Sequence, residues 1–314
     1  MSMSSIFSGH VGEASRIKSQ ESLPAPGRVL FMIDPQHFDV LAAINPHMLQ
    51  ADGSLQAIDR VKARAQWDDL KAAYRSLGLH VSVLPAESSC PDMVFCANQT
   101  FPFLNRDGAP AVILSNMADS TRHLEVASLR VQLEARGVRC YELSPRSEQT
   151  LFEGMGDALW VPGRGLICGG YGFRTHASIY AEVQNLTGAD LALFELRNPK
   201  FYHLDTCLSV LDRDTALACR EGFTEEGWQQ LHQIFARVLE VPLEEADAPG
   251  FACNAHCPDQ KHVLLQKGST RTLTLLSEAG FTPIEVDTTE FIKSGGSVFC
   301  MKLQCVWDHW PLEH

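Results

Sequence analysis

Long apolar runs are missing from this sequence. Nothing in it approaches the roughly 18 consecutive apolar residues of a membrane-spanning helix, so no membrane partner is expected. Positive charge is also short: 26 Lys and Arg stand against 38 Asp and Glu, a net charge of −12. A chain so acidic repels phosphate backbones and anionic headgroups, which excludes nucleic acid as a partner and is compatible with a cationic small molecule. Disulfide spacing is lacking too. The ten cysteines, at 90, 96, 140, 168, 207, 219, 253, 257, 300 and 305, form no compact framework, and no secretory apolar stretch precedes them. A reducing cytoplasm is the expected location. Residues 1 to about 26 are Ser-rich and aperiodic, as in a disordered lead-in, and the acidic Glu13 and Glu21 count against a transit peptide.

What is present is a regular alternation of short apolar strands and amphipathic helices. Strands are expected at 28–33, 79–84, 111–115 and 138–143, then at 158–161, 166–168, 191–196, 204–211 and 216–219, and finally at 262–266, 283–286 and 298–306. Helices are expected at 59–77, 119–136, 176–187, 224–239 and 269–279, with Thr224 as an N-cap and Gly78, Gly137 and Gly188 as stops. Five helices, each followed by a strand and most preceded by a hairpin, describe a repeated ββαβ unit; a last strand joining the first unit would close a ring. The competing fold is a doubly wound parallel sheet, against which the hairpins between helices count. Length alone suggests two domains, although single folds of 314 residues are common.

Three stretches carry chemistry. In Phe201-Tyr202-His203-Leu204-Asp205-Thr206-Cys207, extended backbone would turn His203 and Asp205 to one face, where an acid–base group and a carboxylate could serve one cationic ligand. In Glu153-Gly154-Met155-Gly156-Asp157, glycines between carboxylates permit close approach of backbone to a ligand. In Gly295-Gly296-Ser297-Val298-Phe299-Cys300, a thiol follows a glycine pair; thiolate is a strong nucleophile, whereas most cysteines are inert core residues. Cys305, further along the expected strand, reads as structural. Cys253-Asn254-Ala255-His256-Cys257 lacks a second ligand pair at zinc spacing and reads as a loop rather than a metal site. Arg174 and Arg122 lie at helix starts, where the dipole disfavours a cation unless it meets an anion.

Taken in order, Ile44-Asn45-Pro46-His47-Met48, Pro91-Asp92-Met93-Val94-Phe95-Cys96-Ala97-Asn98, Phe152–Asp157, Gly170–Thr175, Phe201–Cys207 and Gly295–Cys300 resemble the motifs of the guanidino-group-modifying enzymes of the pentein superfamily, over residues 28 to 306. The superfamily includes arginine deiminases, dimethylarginine dimethylaminohydrolases, amidinotransferases and arginine dihydrolases, and the motifs look most like bacterial arginine dihydrolases. The resemblance implies one domain over 27–314, a five-bladed α/β propeller of ββαβ units around a central site, with no metal or organic cofactor required. It implies Cys300 as nucleophile toward the guanidinium carbon and His203 as proton donor and then activator of water. Glu153 and Asp205 would hold the guanidinium, Asn98 and Asn45 would line its pocket, and Arg122 and Arg174 would bind the α-carboxylate. The product from L-arginine would be ornithine, with ammonia and carbon dioxide. Deiminase, dimethylaminohydrolase or amidinotransferase chemistry would use the same residues, and a non-catalytic guanidine binder is a further alternative. Relatives carry an arginine directly before the nucleophile; Phe299 stands there here, which leaves larger or differently substituted guanidines open. A homo-oligomer is compatible with the sequence.

Overall fold

The computed structural model describes residues 26–311, so the lead-in read over 1 to about 26 lies almost wholly outside the described residues. Asp59 opens the first long helix by accepting from the N–H groups of Val61 and Lys62, both at 3.0 Å. That helix, α1 (Arg60–Ser76), turns Ala63, Trp67, Leu70 and Tyr74 inward at intervals of three and four. It links β1 (Val29–Ile33) to β2 (His80–Leu84), which pair in parallel.

The same construction recurs around the molecule. β3 (Thr100–Leu104) and β4 (Pro110–Leu114) form an antiparallel hairpin, α2 (Ser120–Glu134) crosses over, and β5 (Arg139–Tyr141) returns parallel to β4. β6 (Ala158–Trp160), β7 (Leu166–Tyr171), α3 (Tyr180–Thr187) and β8 (Asp190–Glu195) repeat it. So do β9 (Leu208–Val210), β10 (Thr215–Ala218), α4 (Glu225–Ile234) and β11 (Arg237–Glu240). The fifth unit has β12 (His262–Gln266), α5 (Thr270–Glu278) and β13 (Thr282–Val286), with a single antiparallel bridge, His256 to Leu264, standing for its first strand. Finally β14 (Leu303–Gln304) pairs antiparallel with β1 and supplies the first unit's missing strand. Five separate small sheets, joined first to last, make the five-bladed α/β propeller, and exclude the doubly wound sheet. Among the described residues no helix is long and apolar enough to cross a membrane.

Three elements differ from the sequence expectation. The helix expected over 224–239 stops at Ile234, because Phe235 turns extended (φ −107°, ψ 130°). Val238 and Leu239 then pair with Ala216 and Leu217; an apolar residue eight positions after Leu231 fits a helical stripe and a strand equally well. The strand expected from 204 begins only at Leu208. Leu204–Thr206 instead forms a 3-10 turn in which Thr206 N–H and Oγ1–H both donate to the His203 carbonyl, at 3.2 and 2.6 Å. The strand expected over 298–306 shrinks to Leu303–Gln304, because residues 298–301 are coiled into a turn.

Candidate active site

All eight residues singled out for the guanidino site converge at the centre of the ring. His203 and Asp205 reach it differently from the extended picture. Leu204 N–H is taken by the Asp157 carboxylate at 3.0 Å, and the 3-10 turn sends the two side chains to different partners. His203 Nε2–H donates to Glu153 Oε2 at 2.6 Å, while Asp205 Oδ2 accepts from the Cys300 thiol at 3.1 Å. Arg174 Nη1 donates to the same Glu153 oxygen at 3.3 Å, and Ala118 N–H fills Oε1 at 2.8 Å. Glu153 is fully buried; burial pushes its carboxyl up, but Arg174 and His203 override it and hold the group at about 2. Asp205, equally buried, accepts a hydrogen bond from no cationic side chain among the described residues, and burial pushes it up to about 7.

Glycine makes this packing possible at two points. A Cβ on Gly156 would stand 2.3 Å from Asn98 Nδ2 and 3.3 Å from the His203 ring. Gly295 adopts φ +83°, and a Cβ there would meet Tyr202 Oη at 2.7 Å and Asn45 Oδ1 at 2.8 Å.

Cys300 is gripped by a residue the sequence reading passed over. Asn254 Oδ1 accepts from the N–H groups of Ser297, Phe299 and Cys300 at 3.1, 3.1 and 3.3 Å, and its Nδ2–H donates to Cys300 Sγ at 3.2 Å. This clamp coils 298–301 in place of the expected strand. Asn254 lies inside the Cys253–Cys257 cluster, where attention to metal ligands hid it. His256 in that cluster donates from Nε2 to Gln304 Oε1 at 2.8 Å and accepts at Nδ1 from Tyr74 Oη at 3.0 Å, so its ring is committed to the core. Among the described residues no three His, Cys, Asp or Glu converge as metal ligands. Burial, and then the Asp205 carboxylate, raise the Cys300 thiol well above its ordinary value. An empty site therefore keeps Cys300 protonated, and a cation beside it would lower that barrier.

A narrow cavity opens above the thiol, lined by Asn45, Asp92, Asn98, Arg122, Arg174, Tyr202 and Cys300 among others. Asn45 Nδ2 donates to the Ser294 carbonyl at 2.9 Å. Arg122 donates to Glu125 and, through Nη1, to Asn98 Oδ1 at 3.0 Å, which fixes the Asn98 amide so that Nδ2 is buried with no partner among the described residues. Asp92 is a second residue missed at the sequence level. It accepts from Ser294 Oγ at 3.0 Å, and a lone aspartate in a loop carries no signal of its own. Phe299 turns away from this cavity. Its ring packs edge-on against His256 (5.7 Å between centroids) and lines a different cavity with Met155 and Lys302. The phenylalanine before the thiol thus does not touch the space a guanidine would occupy.

Comparison with known proteins identifies the family. The family model of eukaryotic N,N dimethylarginine dimethylhydrolase matches residues 34–306. The chain is 33% identical to the N(G),N(G)-dimethylarginine dimethylaminohydrolase of Mycobacterium tuberculosis, over 93% of this chain and 90% of that relative. It is 30% identical to the bifunctional arginine dihydrolase/ornithine cyclodeaminase ArgZ of a Synechocystis strain, over 88% of this chain but 37% of that larger protein. The crystal structure of the N-terminal domain of ArgZ covalently bound to a reaction intermediate superposes with a TM-score of 0.80 at 28% identity, covering 90% of this chain and 99% of that one. The chain therefore belongs to the N,N dimethylarginine dimethylhydrolase family of pentein enzymes, hydrolases that act on the C–N bonds of a guanidino group.

Proposed function

We propose that the protein hydrolyses L-arginine to ornithine, two ammonia and carbon dioxide, consuming two waters, with Cys300 as nucleophile. The observation that carries the reading is Asn98. Its amide, held by Arg122, offers an unpartnered Nδ2–H beside Gly156 and the His203 ring, where deiminases of this superfamily have a carboxylate. An amide cannot ionise, so this wall of the pocket stays neutral while substrate nitrogens are protonated and lost.

In this mechanism the guanidinium enters between Asp205 and Glu153, whose carboxylates accept charge-assisted hydrogen bonds from it. Its positive charge offsets the carboxylate that holds the Cys300 thiol up, and the thiol's proton passes to His203. Sγ attacks the guanidinium carbon, the C–N bond breaks, and His203 delivers the proton that the departing ammonia takes. A thiouronium remains on Cys300. His203, steadied by Glu153 at 2.6 Å, then takes a proton from water as the water adds to the thiouronium carbon. A second C–N bond breaks and the second ammonia leaves with that proton, giving an S-carbamoyl on Cys300. A second water cleaves its C–S bond to return the thiol and release the carbamate of ornithine, which loses carbon dioxide. Arg174 and Arg122, which line the same cavity, receive the α-carboxylate, and Asp92, also in its lining, is the group of opposite sign for the α-ammonium.

A second reading is the hydrolysis of dimethylarginine to citrulline, supported by the family model and by the Mycobacterium relative's activity. Incubation with L-arginine and, separately, with Nω,Nω-dimethyl-L-arginine, followed by mass spectrometry, separates the two. Ornithine from arginine supports the dihydrolase reading. Citrulline from dimethylarginine with arginine untouched overturns it in favour of the second.

A further inference from the structure

Lys302 is fully buried, two residues past the thiol, and the mechanism above leaves it unused. Among the described residues its ammonium finds no hydrogen-bond acceptor; it sits 3.2 Å from the centroid of the Phe299 ring. Asp205 is left with the complementary deficit, although the two make no direct ion pair among the described residues. Oδ2 of that carboxylate takes the Cys300 thiol, but Oδ1 is buried and has no donor among the described residues. A buried ammonium without an acceptor and a buried carboxylate with one oxygen unfilled are each costly alone; together, inside a dry ring, each offsets the other's charge.

Among the described residues, five titratable groups act most strongly on or with Lys302. They are Cys96 from the loop before β3, Asp205 from the 3-10 turn, His256 from the loop before β12, and Cys300 and Cys305 on its own stretch. Burial raises all three thiols, Cys96 to about 12 and Cys300 and Cys305 well above the ordinary value, so they are neutral near pH 7. Burial and Lys302 itself lower His256, which is neutral as well. Asp205 alone in this set can carry a charge opposite to that of Lys302. Burial draws the two groups toward each other on the pH scale, Lys302 down to about 7 and Asp205 up to about 7.

We propose that Lys302 is the counter-charge of Asp205, a positioning residue that holds this carboxylate ionised while the pocket awaits a cationic guanidine. The inference rests on the reading of Asp205 as a guanidinium-binding carboxylate. Lys302 itself touches neither substrate nor thiol in the reaction.

The test follows the Asp205 carboxyl directly. In protein labelled with 13Cγ-aspartate, the Asp205 signal is identified by its loss in Asp205→Asn and titrated in the wild type, Lys302→Met and Lys302→Arg. Lys302→Met should raise the midpoint by about one pH unit or more, so that below both midpoints about tenfold less of the group is carboxylate. Lys302→Arg should restore it, and the acid-side loss of kcat/KM should move with the midpoint. A merely structural lysine would leave the midpoint where it is, and that result overturns the proposal. Should Lys302→Met fail to fold, the 13Cε signal of Lys302 in unaltered protein decides: it must report an ammonium wherever Asp205 is carboxylate, and a neutral amine there overturns the proposal equally. Full turnover by Asp205→Asn would instead sink the guanidinium-binding reading, whichever way the Lys302 titration falls.

Discussion

Replacing Glu153 by Gln removes the charge that holds His203 and Arg174 together, and its cost can be worked out from the fold. The carboxyl sits at about 2 against 4.5 for the free side chain. At ~1.4 kcal/mol for each tenfold in acidity, that is about 3 kcal/mol of stability. Because the folded value is depressed, this contribution is complete above about pH 4.5 and disappears as the pH falls toward about 2. At about pH 3, roughly 2 kcal/mol of it is already gone. Glu153→Gln keeps an oxygen for Ala118 N–H but turns an amide N–H₂ toward two donors, Arg174 and His203. Urea unfolding of the wild type and Glu153→Gln should therefore give a gap of about 3 kcal/mol near pH 6 that narrows to about 1 kcal/mol near pH 3. Other acidic groups titrate in both proteins and cancel in the difference. A gap of equal size at both pH values would refute the reasoning, because it would mean that packing and not ionic pairing keeps Glu153 in place.

Cys300→Ser should abolish turnover with the fold intact, as seen by circular dichroism, whereas Cys305→Ser, altering a thiol packed beside β1, should stay active; equal loss in both would remove Cys300 from its role. Asn254→Ala strips the Ser297 and Cys300 N–H groups of their acceptor, while Phe299 N–H keeps the backbone carbonyl at 254, so a loss of about 2–4 kcal/mol in urea unfolding is expected, along with slower alkylation of Cys300. Asp205 must be ionised to bind a cation and is pushed up to about 7, so kcat/KM should fall as the pH drops through that value; a profile flat well below it would contradict the assignment. Gly156→Ala should displace the Asn98 amide, lowering kcat by tenfold or more with little change in Tm, as measured by steady-state kinetics beside a thermal melt.

The propeller was legible because its unit is local: hairpin, amphipathic helix and returning strand each carry their own periodicity, and Asp59, Asp119 and Thr224 cap helices where the pattern starts. The polar centre obeys different rules. His203 and Asp205 lie two apart, a spacing that reads as one face of a strand, yet the Asp157 carboxylate captures Leu204 N–H and bends the chain. Asn254 clamps a turn 46 residues downstream, a relation no window of sequence contains. Asp92 and Lys302 gain meaning only from burial, which the linear chain does not display. Phe299, which the motif ties to substrate choice, lines a cavity other than the one above the thiol.

The joint between the last strand and the first has a kinetic meaning. Gln304 donates to the Gly27 carbonyl, 277 positions earlier, and Cys305 N–H to that of Val29. Contacts this distant in sequence are among the slowest to form, since loop closure must precede any gain from them. The thiol hangs on the stretch that makes this joint, behind an asparagine from the fifth blade. A partly folded chain therefore exposes a cysteine without its clamp, its carboxylates or its histidine. In the proposed mechanism, attack on a guanidinium therefore requires this joint to be closed, because only then do the clamp, the carboxylates and the histidine surround the thiol.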